Sequence, residues 1–289
     1  MRRLVCQQFP AWRDLPVSAV ASQGTVNALF RIGPDLVARF PLQPATSADG
    51  GRAELEAEAA AARELLGHTR FRTPEPVAIG AAGPGYPRAW SVHTWIPGTV
   101  ASDADPAGSV PFAHDLAEFI GGVRGIDTRG RTFSGSGRGG ELTAHEDWIQ
   151  TCLQRSDGLL DVSMLRRIWS DLRELPRGPA ADVMSHGDLI PGNVLVAEGR
   201  LSGVLDVGGL GPADPALDLV GAWHLLEQGP RERLREDLRV DDLQWRRGMA
   251  WAFAQAMGLP WYYQHSNPAM SAMGRRTLER IMAAWRPLR

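Results

Sequence analysis

The chain has 289 residues, and all 31 of its basic side chains are arginine, because the sequence contains no lysine. This absence excludes Schiff-base lysine chemistry and the Walker A loop, since both need a lysine amine. A formal net charge of -2 gives no strong attraction to nucleic acid or to a membrane surface. No apolar run reaches the roughly 20 residues of a membrane helix. We therefore expect a cytoplasmic protein that binds neither nucleic acid nor membrane.

The first ninety or so residues predict a small β-sheet with one main helix. Short β-prone runs next to turn residues predict strands at 26–32, 36–40 and 88–95. The stretch 52–66 is rich in Ala, Glu and Leu and has no internal Gly or Pro, so it predicts a helix.

After Gly98, apolar residues recur at helical spacing. The predicted helices are 111–126, 146–153, 164–175, 215–226, 241–257 and 267–285. A β-hairpin (193–197 with 201–205) interrupts them, and the glycine-rich segment 129–140 predicts a surface loop. The expected architecture is α+β, with a β-rich N-terminal lobe over residues 1–95 and a larger helical C-terminal lobe over residues 96–289.

One stretch carries side chains suited to chemistry: HGDLIPGN at 186–193, followed by the hairpin and then by Asp206-Val207-Gly208. Asp188 and Asn193 lie five residues apart on a tight loop, and Asp206 returns to them if the hairpin folds back. Oxygen ligands of this kind suit Mg²⁺, which also binds substrate phosphates. With Asp188 left to receive a hydroxyl proton, the pattern indicates phosphoryl transfer.

The motifs HGDLIPGN and LDVGGLGPADPALDL resemble those of the aminoglycoside phosphotransferase family, which are small-molecule kinases with a protein-kinase-like bilobal fold. RIGPDLVARFP, EAAAARELL and SVHTWIPG are similar to that family's N-lobe hairpin, N-lobe helix and interlobe linker. The resemblance covers most of the chain. It implies a nucleotide-binding N-lobe, a C-lobe with the catalytic loop and substrate site, and Mg²⁺ with ATP or GTP as phosphate donor.

The resemblance also implies roles for single residues of the catalytic region. Asp188 would be the catalytic base, and Asn193 and Asp206 would hold Mg²⁺. Three further residues would support the loop: His186, Asp214 and Asp218.

In the N-lobe, the resemblance implies a set of nucleotide contacts. The nucleotide-covering turn would use Ser22, Gly24, Thr25 and Asn27. Arg39 stands where the family usually has its phosphate-pairing lysine, and its partner would be Glu58, with Glu54 and Glu56 as rivals. Thr94 and Ile96 would present backbone groups to the nucleotide base.

The sequence leaves the acceptor open. Gly209 stands where the family often has a charged residue, so a carboxylate near the substrate cleft is missing. Other C-lobe acids could compensate: Asp157, Asp161, Glu227 and Asp237. The leading interpretation is a kinase of a small hydroxylated molecule, an aminoglycoside or macrolide antibiotic first. A kinase of homoserine, choline or a sugar, a catalytically silent pseudokinase, and a metal-dependent phosphohydrolase are the alternatives. We expect a monomer or a homodimer.

Overall fold

A five-stranded antiparallel sheet organises the first hundred residues. The structure is a computed structural model that describes residues 1–21, 24, 26–43, 48–135 and 137–286. The strands are β1 (Val17–Val20), β2 (Asn27–Ile32), β3 (Leu36–Pro41), β4 (Pro76–Gly80) and β5 (Trp90–Thr94), in the spatial order β1-β2-β3-β5-β4. β2 and β3 form the predicted hairpin, in which Ile32 pairs with Leu36 across a turn that holds Gly33 at φ 57°.

The two faces of this sheet carry different side chains, because successive side chains along a strand point to opposite faces. One face carries Ala38, Phe40, Trp90 and Val92, which are buried in a small core with the N-terminal helix α1 (Arg2–Gln8). The other face carries the residues between them. There Arg39 pairs with Ser91 in the ladder between β3 and β5.

The remaining helices form a larger, mostly helical part around a second core. Helix α2 (Ala48–Leu65) lies between this part and the sheet, since it packs against β4 and β5. The other helices are α3 (Ala101–Ala104), α4 (Val110–Arg124), α5 (Glu146–Arg155), α6 (Val162–Leu172), α7 (Val220–Leu225), α8 (Gln228–Leu238), α9 (Asp242–Ala256), α10 (Leu259–Tyr262) and α11 (Pro268–Ala284). α11 begins as predicted, because the Asn267 side chain accepts a hydrogen bond from the Met270 amide and Pro268 occupies the first helical position.

Short strands in the second half bring the motif residues together. β7 (Val183–Ser185) pairs with β10 (Gly211–Ala213), and β6 (Thr99–Val100) pairs with β8 (Val194–Ala197). β8 and β9 (Arg200–Val204) form the second predicted hairpin. Its two-residue turn holds Glu198 and Gly199 at φ 51° and 72°, the conformation of a type I′ turn.

The structure differs from the sequence-based expectation at several helices, since α1, α3, α8 and α10 were not predicted. The helix predicted for 215–226 begins only at Val220, since residues 214–219 form a turn and one 3₁₀ segment around Asp214 and Asp218. Helix α8 was not predicted, because its sequence QGPRERLREDL is mostly charged and has almost no apolar stripe. None of the helices in the described part of the chain combines the length and apolar character needed to cross a membrane.

Candidate active site

The HGD loop leaves β7 and is fixed by a buried carboxylate. Both oxygens of Asp218 accept backbone hydrogen bonds, from the His186 amide at 2.8 Å and from the Gly187 amide at 2.7 Å. Asp218 is fully buried, and Gly187 takes φ 81°, a conformation that L side chains rarely adopt. These contacts hold the loop in one conformation.

The His186 ring ties this loop to the end of the hairpin. Its Nε2 lies 2.9 Å from the Leu205 carbonyl, while its Nδ1 accepts the Asp188 amide at 3.2 Å. A neutral ring protonated at Nε2 satisfies both bonds. His186 thus links the HGD loop to the backbone just before Asp206, which agrees with its expected role in supporting the loop.

The Asp188 carboxylate accepts hydrogen bonds from three side chains. Its Oδ2 receives Asn193 Nδ2 at 2.8 Å. Its Oδ1 receives Arg138 Nη2 at 3.1 Å and Gln255 Nε2 at 2.5 Å. The carboxylate keeps 36% side-chain exposure, so a ligand can reach it from solvent.

The hairpin places Asn193 and Asp206 side by side. The Leu205 amide donates to the Asn193 carbonyl at 2.7 Å, so Asp206 follows directly on the residue that faces Asn193. Asp206 adopts a left-handed conformation, with φ 57° and ψ 46°. Strained backbone of this kind is concentrated at functional sites.

This pair of residues fits a magnesium ion. Since the Asn193 amide nitrogen is turned to Asp188, its carbonyl oxygen is left for another partner. Asp206 Oδ1 accepts from Arg39, and Asp206 Oδ2 has no hydrogen-bond partner among the described residues. Those residues contain no group of three or more His, Cys, Asp or Glu suited to a metal. Two oxygen-bearing groups completed by phosphate oxygens are what Mg²⁺ commonly uses.

Arg39 reaches the same place from the sheet. Its Nη2 donates to Asp206 Oδ1 at 3.0 Å, and its Nη1 lies 3.8 Å from Oε2 of Glu58 on α2. Glu54 and Glu56 are exposed, so of the three glutamates considered it is Glu58 that the fold brings to Arg39. Burial raises the pKa of the Glu58 carboxyl, and the positive charge of Arg39 opposes that effect.

The backbone groups of Thr94 and Ile96, expected to contact the nucleotide base, differ in whether they are free to do so. The Thr94 amide donates to the Glu75 carbonyl at 2.9 Å, so that group is not available to a nucleotide base. The Ile96 amide has no partner in the described part of the chain. The side chain of Ile96 is buried, and a Cβ on Gly203 would come within 3.0 Å of it.

The predicted nucleotide-covering turn is described only in part. Ser22 and Thr25 lie outside the described residues. Gly24 is exposed, and Asn27 is the first residue of β2, where it pairs with Pro41.

Asp214 has a structural environment and lies away from solvent. Its Oδ2 accepts from Arg247 Nη2 at 2.6 Å and from Trp251 Nε1 at 2.9 Å, and its Oδ1 accepts the Ala216 amide. Both members of the Arg247–Asp214 ion pair are almost fully buried. The contacts anchor the segment after β10 to α9.

Two side chains at Asp188, Arg138 and Gln255, gave no signal in the sequence. Arg138 lies in the segment predicted as a surface loop, and this prediction is wrong for its end, where Gly139 and Gly140 are buried. A Cβ on Gly139 would come within 2.7 Å of Ala213, so glycine here permits close packing and not exposure. Gln255 lies on an otherwise apolar face of α9.

The aromatic run after α9 forms a partly exposed patch. Trp261 lies 6.2 Å from Trp148, ring centre to ring centre, and Tyr262 is 60% exposed. The run is therefore partly packed against other rings and partly exposed to solvent.

The fold is protein-kinase-like, and it holds Asp188 with Asn193 and Arg39 with Asp206 at the two ends of the second hairpin. The model of the phosphotransferase enzyme family, APH, matches residues 19–252, and the chain belongs to that family.

Curated relatives are aminoglycoside 3'-phosphotransferases. One from Salmonella typhimurium is 28% identical over 169 residues, which cover 53% of this chain and 60% of that protein. One from Escherichia coli is 40% identical over 63 residues, covering 22% and 23% of the two chains. The matched region thus spans less than two thirds of these relatives.

Solved structures share the fold over nearly the whole chain. The GDP complex of aminoglycoside 2'-phosphotransferase-IIIa aligns with a TM-score of 0.69 at 19% identity, covering 97% of both chains. Macrolide 2'-phosphotransferase MphH from Brachybacterium faecium aligns with a TM-score of 0.62 at 20% identity, covering 96% of this chain and 98% of that one. At this identity the likeness concerns the fold.

Proposed function

We propose that the protein transfers the γ-phosphate of ATP or GTP, with Mg²⁺, to a hydroxyl group of a small molecule. The observation that carries the proposal is the position of Asp188: its carboxylate is partly exposed and bonded to Asn193 at the start of the hairpin, while Arg39 meets Asp206 at the end of the same hairpin. A base, two oxygen ligands and a phosphate-binding cation are the parts that phosphoryl transfer needs.

In the proposed reaction, Asp188 accepts a hydrogen bond from the acceptor hydroxyl and takes its proton as the oxygen attacks the γ-phosphorus. The bond from that phosphorus to the bridging oxygen breaks, and the nucleoside diphosphate leaves. Asn193 and Asp206 would hold Mg²⁺, which neutralises phosphate charge when bound. Arg39 binds phosphate oxygens, and Glu58 orients Arg39.

We propose an antibiotic as the acceptor, of the aminoglycoside or macrolide type. The support is that curated relatives are aminoglycoside 3'-phosphotransferases and that structural neighbours include a macrolide enzyme and a kanamycin complex. The partly exposed Trp261 and Tyr262 rings offer the amphipathic surface that such ligands use.

The charges favour, within this proposal, an acceptor with few positive charges. Three of the four acids that could have compensated for Gly209 have structural partners: Asp161 caps α6, Glu227 pairs with Arg280, and Asp237 pairs with His114. Asp157 is exposed just beyond α5. Since Arg138 pairs with Asp188 and offsets its negative charge, a macrolide is favoured over a polycationic aminoglycoside.

The test is a phosphate-transfer assay with Mg-ATP and Mg-GTP against kanamycin, gentamicin, streptomycin, a macrolide, choline, homoserine and sugars, read by ³¹P NMR. We expect Asp188→Ala to lower kcat by about 10²- to 10⁴-fold, the usual contribution of a catalytic base. Asp14→Ala, an exposed aspartate in the N-terminal segment, is the control.

Turnover by Asp188→Ala equal to that of the parent would contradict the assigned base. Nucleotide binding without transfer or hydrolysis would favour the pseudokinase alternative. We also expect the protein to act in the cytoplasm, where nucleotide donors are available.

A further inference from the structure

A row of polar side chains runs from Asp188 through three helices, and its two inner members are buried. Gln255 on α9 donates from Nε2 to Asp188 Oδ1 at 2.5 Å. Its Oε1 lies 3.2 Å from Nε2 of His224 on α7, and His224 Nδ1 lies 2.9 Å from the hydroxyl of Thr277 on α11. His224 and Thr277 are buried, and neither belongs to the sequence motifs from which the active site was predicted.

For a neutral His224 ring, the contacts admit one consistent placement of hydrogens. Because Gln255 uses its NH₂ group on Asp188, the atom facing His224 is a carbonyl oxygen, which can only accept. His224 must then carry its hydrogen on Nε2, and its bare Nδ1 accepts the hydrogen of the Thr277 hydroxyl. That hydroxyl also lies 3.0 Å from the Met273 carbonyl. If its hydrogen pointed there, His224 would need its hydrogen on Nδ1, and two acceptors would face each other at Gln255.

The charge state of His224 agrees with this arrangement. Burial lowers the pKa of His224 to about 3; the hydrogen bond to Gln255 opposes this shift, and the nearby Arg138 and Arg280 charges add to it. A neutral ring at every working pH has a single N–H, so its position is a definite property of the folded protein.

We infer that Gln255 is a positioning residue for Asp188 and that His224, together with Thr277, fixes the orientation of its amide. This inference rests on the proposed function of Asp188 as base. A flipped amide would turn Oε1 towards the carboxylate, and two acceptors would repel each other there. With the amide fixed, Gln255 and Arg138 hold Oδ1 while Asn193 holds Oδ2, so the carboxylate has one rotamer.

The first test needs no substrate. Long-range ¹H–¹⁵N correlation spectra report which nitrogen of each histidine carries hydrogen, and His224→Gln identifies the signal. We expect a neutral, Nε2-protonated ring in the parent from pH 5 to pH 8. A change of that tautomer in Gln255→Leu is also expected, because the acceptor at Nε2 is gone. An Nδ1-protonated or charged ring in the parent would overturn the inference.

The second test is a double-mutant cycle on kcat. We expect Gln255→Leu to lower kcat by about tenfold to a hundredfold, as for small misplacements of reacting groups, with the KM for nucleotide unchanged. His224→Leu should lower kcat about fivefold in the parent, but by no measurable factor in the Gln255→Leu background, because it acts through Gln255. His224→Gln, which keeps a donor near the Nε2 position, should recover most of the loss.

The control is Gln244→Leu, a partly exposed residue near the start of the same helix, which should leave kcat unchanged. Equal effects of His224→Leu in both backgrounds would indicate a merely structural role and contradict the inference. If the parent transfers phosphate only to water, or not at all, the proposed function fails. The tautomer measurement then decides alone whether the row of hydrogen bonds from Gln255 to Thr277 exists.

Discussion

Arg39 Nη2 and Asp206 Oδ1 are 3.0 Å apart although 167 residues separate them in the chain. The contact joins the five-stranded sheet to the segment after the second hairpin, and we place the nucleotide phosphates next to it. Arg39 is therefore positioned between two carboxylates, Asp206 and Glu58, before any phosphate binds.

Arg39→Ala should weaken binding of Mg-nucleotide by about tenfold to a hundredfold, because a charge-assisted bond to phosphate contributes about 1.5–3 kcal/mol. The affinity of Arg39→Lys for Mg-nucleotide should lie between those of the parent and of Arg39→Ala, since lysine keeps the charge without the planar fork. Isothermal titration calorimetry measures the dissociation constants, and Arg3→Ala on the exposed side of α1 controls for net charge. An unchanged constant in Arg39→Ala would remove this residue from the nucleotide site.

Glu58→Gln should weaken nucleotide binding about twofold to fivefold, because a half-exposed ion pair contributes at most ~1 kcal/mol. Glu56→Gln is the matched control on the same helix, where Glu56 pairs with Arg52 and not with Arg39. The same titration compares the two variants. If Glu56→Gln had the larger effect, the pairing of Arg39 with Glu58 would not persist in the nucleotide complex.

Adjacent glycines after Asp206 offer a test of packing against α2. A Cβ on Gly208 would come within 2.8 Å of the Glu58 side chain. Apart from its chain neighbours, a Cβ on Gly209 would come no closer to the described residues than 3.9 Å, the distance to the His186 carbonyl oxygen. We expect Gly208→Ala to destabilise the fold by about 1–3 kcal/mol through overcrowding and to displace Glu58. Gly209→Ala should stay within about 0.5 kcal/mol of the parent. Urea unfolding and nucleotide affinity measure both effects, and equal stability of the two variants would contradict the packing.

Arg247→Met should destabilise the protein by about 3–5 kcal/mol, because it leaves the Asp214 carboxylate buried without its partner. Arg246→Met changes the neighbouring residue, which makes no ion pair in the described part of the chain, and should cost far less. Urea unfolding gives both values. Adding Asp214→Ala to Arg247→Met should cost less than the sum of the single changes, since the two groups are in contact.

The sequence predicts the parts of the fold whose signals are local. Both hairpins follow from turn residues between apolar runs, and α2 follows from composition. Helix α8 was missed because its charged sequence packs through only a few buried residues, Leu234 among them.

The candidate site divides in the same way. Asp188, Asn193 and Asp206 could be proposed together because a short loop and one hairpin fix their spacing. Arg138 and Gln255 could not, because their approach to Asp188 depends on how residues 50 and 67 positions away in the chain pack against the HGD loop. Arg247 was missed for the same reason, since only the folded chain shows which arginine meets Asp214.

The left-handed backbone of Asp206 sets stability against function at a single position. Glycine would adopt this conformation without the steric cost that a side chain brings, a cost of about 1–2 kcal/mol for an L residue. Selection for thermal stability alone would therefore tend to replace Asp206, whereas selection for phosphate transfer would keep it. Libraries selected in these two ways should diverge at residue 206.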